Sequence, residues 1–218
     1  MNKKTVFFIC LGIILLPVIY LATIWNGLPQ TIPAHWGTGS QPDRYGDKSE
    51  LLILPLVMGL VSLGTTLLLL NIDKLDPKRG KEIPFSLLTK ICIGLSIFFA
   101  ALLGYIMYVT QSKTHEMGNF LFVLVGLLIS FLGNLMYNIK QNFFIGVRLP
   151  WTLTDEDNWK SSNRLLSILF FISGILIVIS ALTMSYLITF IITISSVIGS
   201  ALYVGIYSYK MFKRKQLQ

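Results

Sequence analysis

The sequence predicts an all-α integral membrane protein with six transmembrane helices and with both the N-terminus and the C-terminus cytoplasmic. Three observations carry that prediction: the apolar content of the chain, the length of its apolar runs and the placement of its basic residues. Hydrophobic residues fill 54% of the 218 positions and charged residues only 13%, far from the soluble average. The net charge of +8 is scattered over short segments between apolar runs, without a base-reading motif, so it reads as membrane topology and not as nucleic-acid binding.

A hydrocarbon core of about 30 Å needs about 20 helical residues. Four runs have that length: Val6 to Trp25, Leu51 to Asn71, Phe85 to Thr110 and Gly118 to Ile139. A fifth, Leu165 to Tyr209, contains no Asp, Glu, Lys or Arg, and as one straight helix it would be roughly 65 Å long. That is about twice what a bilayer accommodates, so the run folds back, and a hairpin near Thr183 to Leu187 yields helices five and six. The chain then divides into four parts. Residues 1–71 hold two helices with an outer loop at 26–50, and 72–139 hold a linker with helices three and four. Residues 140–164 form a cytoplasmic segment, and 165–218 form a helical hairpin with a basic tail.

Of the 18 Lys and Arg residues, only Arg44, Lys48 and Lys113 fall on the side away from the termini. That bias orients the termini inward, in a cytoplasmic (plasma) membrane crossed several times. The first apolar run is longer than the roughly 7 to 15 residues of a signal-peptide core, and its exit, LATIWNGLPQ, lacks a small-x-small cleavage site. It is expected to stay as an anchor. Cys10 and Cys92 lie near cytoplasmic helix ends and read as reduced, apolar packing residues.

Within the spans the only ionisable residue of the kind that marks ion paths is Lys90, near a helix end, which argues against a charge-coupled transporter. Small and hydroxylated residues are spaced along two spans: Gly126, Ser130 and Asn134 on one, and Thr189, Thr193, Ser196 and Ser200 on another. Such stripes let helices approach closely, and packing is preferred here to a substrate path for a small-molecule facilitator or efflux protein.

The outer loop, NGLPQTIPAHWGTGSQPDRYGDKSE, is held extended by Pro29, Pro33 and Pro42, turns at its glycines and is too short to bury a core of its own. It is expected to lie on the helix ends. Its polar constellation is His35, Trp36, Asp43, Arg44, Tyr45 and Lys48. These residues read either as interfacial anchors or as a surface for an extracellular ligand. His35, His115 and a carboxylate lack metal-ligand spacing, so neither a metal nor a cofactor is expected.

The segment NFFIGVRLPWTLTDEDNWKSSNR connects the fourth and fifth spans. Gly146 permits a bend, and Pro150 forces Leu149 out of helical geometry. Thr154 is the expected cap of a new helix that runs into the fifth span, with Asp155, Glu156 and Asp157 complementing its positive end. Trp151 and Trp159 would sit at headgroup depth, with Arg148 and Arg164 reaching lipid phosphates; the alternative is a partner-binding surface. No nucleophile here has a base beside it, so the chain is not expected to be an enzyme.

At this segment the residues meet a family pattern. Asn142, Phe144, Ile145, Gly146, Arg148, Pro150, Trp151, Thr152 and Leu153, followed by an acidic turn, Trp159, Asn163 and Arg164, resemble the signature of the SdpI family of bacterial membrane immunity proteins. The outer-loop pattern L-P-x-x-I-P-x-H-W with G-x-x-P-D-R-Y-G-x-K resembles the domain of unknown function that commonly accompanies it. The resemblance implies resistance to a secreted peptide toxin. It further implies a receptor that, with toxin outside, holds a cytosolic transcriptional repressor at the membrane. On that reading Asn142, Gly146, Arg148, Pro150, Trp151, Thr152, Trp159, Asn163 and Arg164 form the inner docking surface, and the outer-loop constellation meets the toxin. The resemblance implies histidine in some members at the position of Asn163, so a titrating role there is not expected in this chain.

Overall fold

The computed structural model describes residues 1–112 and 114–217; Lys113, one of the three basic residues expected outside, lies beyond the described set. In chain order the elements are α1 (Lys3–Ile24), β1 (Thr31–Trp36), β2 (Pro42–Asp47), α2 (Ile53–Leu70), α3 (Ile72–Leu75), α4 (Phe85–Gln111), α5 (Phe120–Met136), α6 (Pro150–Thr154), α7 (Glu156–Thr183) and α8 (Tyr186–Gln216), with short 3-10 turns between some of them. Five helices are long and apolar enough to cross a membrane, counting α2 with the turn that leads into it, and α5 adds a shorter apolar one of 17 residues. The protein is therefore an all-α membrane bundle, with one small hairpin added.

Two three-helix groups make up the bundle. In the first, α1 packs on α4 and α2 around Val6, Cys10, Leu69, Leu70, Leu88, Ile91 and Cys92. The two cysteines are free and buried. In the second, α7 packs between α5 and α8. The α5/α7 contact is backbone-close: a Cβ on Gly174 would come within 2.4 Å of the Gly126 carbonyl, and one on Gly133 within 2.6 Å of the Phe171 amide. Ser130 Oγ donates to the Phe171 carbonyl at 2.9 Å. The contacting stripe is thus Gly126, Ser130 and Gly133. Asn134, expected on it, is exposed, because a helix turns 3.6 residues per repeat and two successive steps of four drift off a straight seam. Thr189 donates to the Ser180 carbonyl and Ser173 meets Ser200 across α7 and α8, so hydroxyls of the last helix serve helix contacts. The remaining apolar surface faces outward, with Leu56, Leu60, Leu202 and Ile206 all more than half exposed, as lipid contact requires.

The hairpin in the long apolar run falls where the sequence places it, with α7 ending at Thr183 and α8 starting at Tyr186. Three local expectations are corrected. The outer loop is not simply an extended cover: it folds into an antiparallel β1/β2 hairpin, Thr31 opposite Asp47 and Trp36 opposite Pro42, with irregular register around His35. Burial of Ile32 against Leu28, Leu51, Leu103 and Met107 pins it to the bundle. Thr154 does not cap the helix into the fifth span. Pro150 starts a separate one-turn helix, so Thr154 is itself helical and its hydroxyl donates back to the Pro150 carbonyl at 3.2 Å. The extended residue that a cap requires is Asp155, whose carboxylate accepts from the Asp157 and Asn158 amides. The fourth span ends at Met136 and not at Ile139, because the chain turns there into the connecting segment.

Candidate functional site

Both termini lie at one end of the bundle, tied there by ion pairs. Lys3 meets Asp73 at 2.8 Å, and Lys215 reaches Asp155 and Asp157 at 2.8 and 2.9 Å. The Lys3 ammonium beside Asp73 holds that carboxyl below its usual range, and Lys215 does the same for Asp155. Between these pairs lies the connecting segment, built from the inside outward on four buried polar side chains.

Asn142, fully buried, accepts from the Phe144 and Ile145 amides at 2.8 and 2.7 Å and donates to the Lys140 and Ile145 carbonyls, closing one turn of the chain on itself. Asn163 on α7 accepts from the Val147 amide at 2.8 Å and donates to the Trp159 carbonyl. Gly146 passes directly over it with φ +114, where an added Cβ would lie 2.3 Å from Asn163 Oδ1. Only glycine fits both the backbone angle and the approach. Thr152 accepts from the Leu149 amide and donates to the Val147 carbonyl at 2.6 Å. The fourth, Asn158, donates to the Ser208 carbonyl on α8 and accepts from Ser162.

The two tryptophans lie inside this packing. Trp159 is completely buried and donates to the Ile139 carbonyl at 2.9 Å, which corrects the expectation of headgroup depth: the reversal after Met136 lays residues 139–147 over it. Trp151 is half-buried, donates to Ser208 Oγ at 3.0 Å and stacks on Phe212 while meeting Tyr209 edge-on. Of the residues expected to dock a partner, those exposed are Pro150, Arg148 and Arg164. Arg148 donates to the Phe143 carbonyl, and the Arg164 guanidinium lies 4.7 Å from the Tyr137 ring centre. Arg79, from the linker after α3, donates to the Leu153 carbonyl and covers the Phe143 ring.

Sequence reasoning passed over Asn158, Ser208 and Arg79. The i,i+4 spacing of Asn158 and Ser162 was a visible signal for the first; Ser208 and Arg79 had none, since their partners are 57 and 74 residues away.

At the opposite end the hairpin tip meets the segment after α4. Trp36 donates to the His115 carbonyl at 2.9 Å, the Met117 amide donates to the Ser40 carbonyl at 2.7 Å, and Gln41 pairs with Glu116. Tyr45 stands edge-on to His115, which adopts φ +54. His35 and Asp43 pair at 2.6 Å, Arg44 pairs with Glu50 at 2.9 Å, and Lys48 sits over the Trp25 ring. His35, Asp43, Arg44 and Tyr45 are exposed; Trp36 and Lys48 are half-buried. Asp47, which caps the turn into α2, is held below its usual range by the Ser49 amide. Among the described residues no group of three His, Cys, Asp or Glu side chains is arranged to hold a metal.

Comparison with known proteins adds to this geometry. Residues 138–208 match the model of the SdpI/YfhL protein family, and residues 12–59 match a domain of unknown function, DUF1648. The chain is 30% identical over 197 residues to the Immunity protein SdpI of Bacillus subtilis (strain 168), covering 88% of this chain and 87% of that one. It is also 45% identical over 42 residues to an uncharacterized protein of Archaeoglobus fulgidus, 19% of this chain and 23% of the other. No solved structure matches it. The family match begins with the segment that Asn142, Gly146, Thr152 and Asn163 lock together and runs on through α7 into α8, and with a similarity to an SdpI protein running nearly the whole length, this multi-pass bacterial membrane protein belongs to the SdpI family.

Proposed function

We propose that the protein is a non-catalytic immunity protein that protects its cell from a secreted peptide toxin, with the basic end of the bundle cytoplasmic and the β-hairpin outside. The observation that carries this reading is the near full-length similarity to an immunity protein, which spans the hairpin end and the connecting segment alike. The exposed side chains of His35, Asp43, Arg44 and Tyr45 with the half-buried Trp36 and Lys48 form the surface that meets the toxin. A ligand there would bear on α1, α2 and α4 through Ile32 and on the start of α5 through His115, Glu116 and Met117.

The finer reading is that the connecting segment docks a cytosolic transcriptional repressor. In it Arg148, Pro150 and Arg164 are the contacting groups, while Asn142, Gly146, Thr152, Trp159 and Asn163 shape the surface and Trp151 joins it to α8. Such a receptor requires a bundle whose arrangement one ligand can bias, and α7 and α8 run from one surface to the other. The engagement of the Thr189, Ser173 and Ser200 hydroxyls in helix contacts favours this over a facilitator with a polar path.

Survival of toxin-sensitive cells expressing the chain, challenged with culture supernatants of peptide-secreting bacteria, tests the immunity reading. Protection by the parent and weakened protection by His35→Ala or Asp43→Ala is expected. Equal survival with and without the parent chain, across supernatants that kill the sensitive strain, overturns it.

A further inference from the structure

A cleft of about 530 Å³ opens at the terminal end between the residues that follow α5, the linker at Arg79 and Glu82, and the first turns of α7. Its cations are Arg79, Lys140, Lys160 and Arg164, and its acids are Glu82 and Glu156. The acids are each taken by a lysine: Glu82 by Lys140 at 3.4 Å and Glu156 by Lys160 at 2.8 Å. The two guanidiniums are left. Among the described residues neither Arg79 nor Arg164 has a carboxylate within ion-pair distance; each is instead held against an aromatic ring, Arg79 over Phe143 at 5.0 Å and Arg164 over Tyr137 at 4.7 Å. Contact with a ring orients the planar fork; Arg164 keeps its edge donors free, and Arg79 keeps those not taken by the Leu153 carbonyl, which suits a phosphate.

The second observation is what lies below the cleft. From Arg164 along α7 the positions i+4, i+7, i+8 and i+11 are Ile168, Phe171, Ile172 and Ile175, all between 42% and 49% exposed. A basic cleft thus continues into an apolar strip on one lipid-facing flank of a helix. A soluble phosphate compound would use the first and leave the second bare.

We propose that this cleft binds the headgroup of an anionic phospholipid, with Arg164 and Arg79 on the phosphodiester and the acyl chains along Ile168, Phe171, Ile172 and Ile175. Arg79 also holds the Leu153 carbonyl, so the bound lipid braces the short helix α6 against the rest of the segment. Basic pockets between helices at a membrane surface are a recognised setting for acidic headgroups.

The test uses the full chain in detergent micelles, with bound lipid counted by native mass spectrometry. The probes are phosphatidylglycerol, phosphatidylcholine and inorganic phosphate. Retention of phosphatidylglycerol over phosphatidylcholine is expected, with Arg164→Gln lowering the apparent affinity for phosphatidylglycerol about fivefold, the factor for one basic contact to an anionic lipid. Lys210→Gln, an exposed basic residue at the same end outside the cleft, should leave it unchanged. Arg79→Gln is the second arm; because Arg79 also anchors Leu153, Arg164→Gln decides if that variant does not fold. Equal retention of the two lipids, equal losses in Arg164→Gln and Lys210→Gln, or displacement of bound lipid by millimolar inorganic phosphate would each overturn the proposal.

Discussion

The two polar ends of the bundle are held together in opposite ways. At the hairpin end, charged and aromatic side chains pair with one another at the exposed or half-buried surface: His35 with Asp43, Arg44 with Glu50, Lys48 over Trp25. At the terminal end, the polar groups that matter most are amides and a hydroxyl sealed from solvent, and they bond to backbone. The difference teaches where rigidity resides. A buried amide that satisfies two backbone groups is expensive to remove, since truncation leaves those groups unpaired, whereas an exposed ion pair contributes little. The terminal segment is therefore a fixed shape, and the hairpin is a surface whose side chains are free to change partners.

Substitutions can break this contrast, and their expected effects are ordered by it. Gly146→Ala should destabilise most, by about 3 kcal/mol, since it adds backbone strain at φ +114 and drives a methyl into Asn163. Thermal unfolding of the purified chain measures it, and a melting temperature equal to the parent's would mean the segment is not rigid. Asn163→Leu leaves the Val147 amide without its partner and should cost about 2 kcal/mol in the same assay. Trp151→Phe keeps the stacking on Phe212 but loses the bond to Ser208, worth about 1 kcal/mol. At the other end, Asp43→Asn should change stability by less than about 0.5 kcal/mol while still weakening toxin protection. If it unfolds the chain as Asn163→Leu does, the contrast between the ends fails.

Acid sharpens the comparison. The Asp155 carboxyl is held below its ordinary value, chiefly by Lys215, so its contribution is present above the unfolded pKa near about 3.9 and is lost as pH falls through the lower folded value. Docking of the α8 tail on the α7 cap, followed by a fluorophore near Lys215, should be unaltered from neutral pH to about pH 5 and loosen only well below about pH 4.

Much of the fold was legible without coordinates because a bilayer constrains it so strongly. Apolar run length set the helix count, and the charge-free stretch to Tyr209 demanded a hairpin near Thr183 to Leu187, where α7 gives way to α8. What the sequence could not give at the site was partnership. Thr154 and Asp155 are both acceptable caps by residue type, Asp the better, and the choice between them depended on Pro150 starting a turn of its own. Trp159 looked like an interfacial anchor because tryptophan favours that depth; its burial depends on a chain reversal twenty residues earlier.

The sequence by itself therefore determined the bundle, the family and the segment that carries the family motif, since length, hydropathy and a dense local motif are properties of neighbouring residues. Only the tertiary structure decided which motif residues face outward and which are structural, that the outer loop is a hairpin seated on Ile32, and that two guanidiniums share a cleft above an apolar strip. Those are contacts between residues far apart in the chain, and no local pattern encodes the side on which a distant backbone carbonyl will arrive.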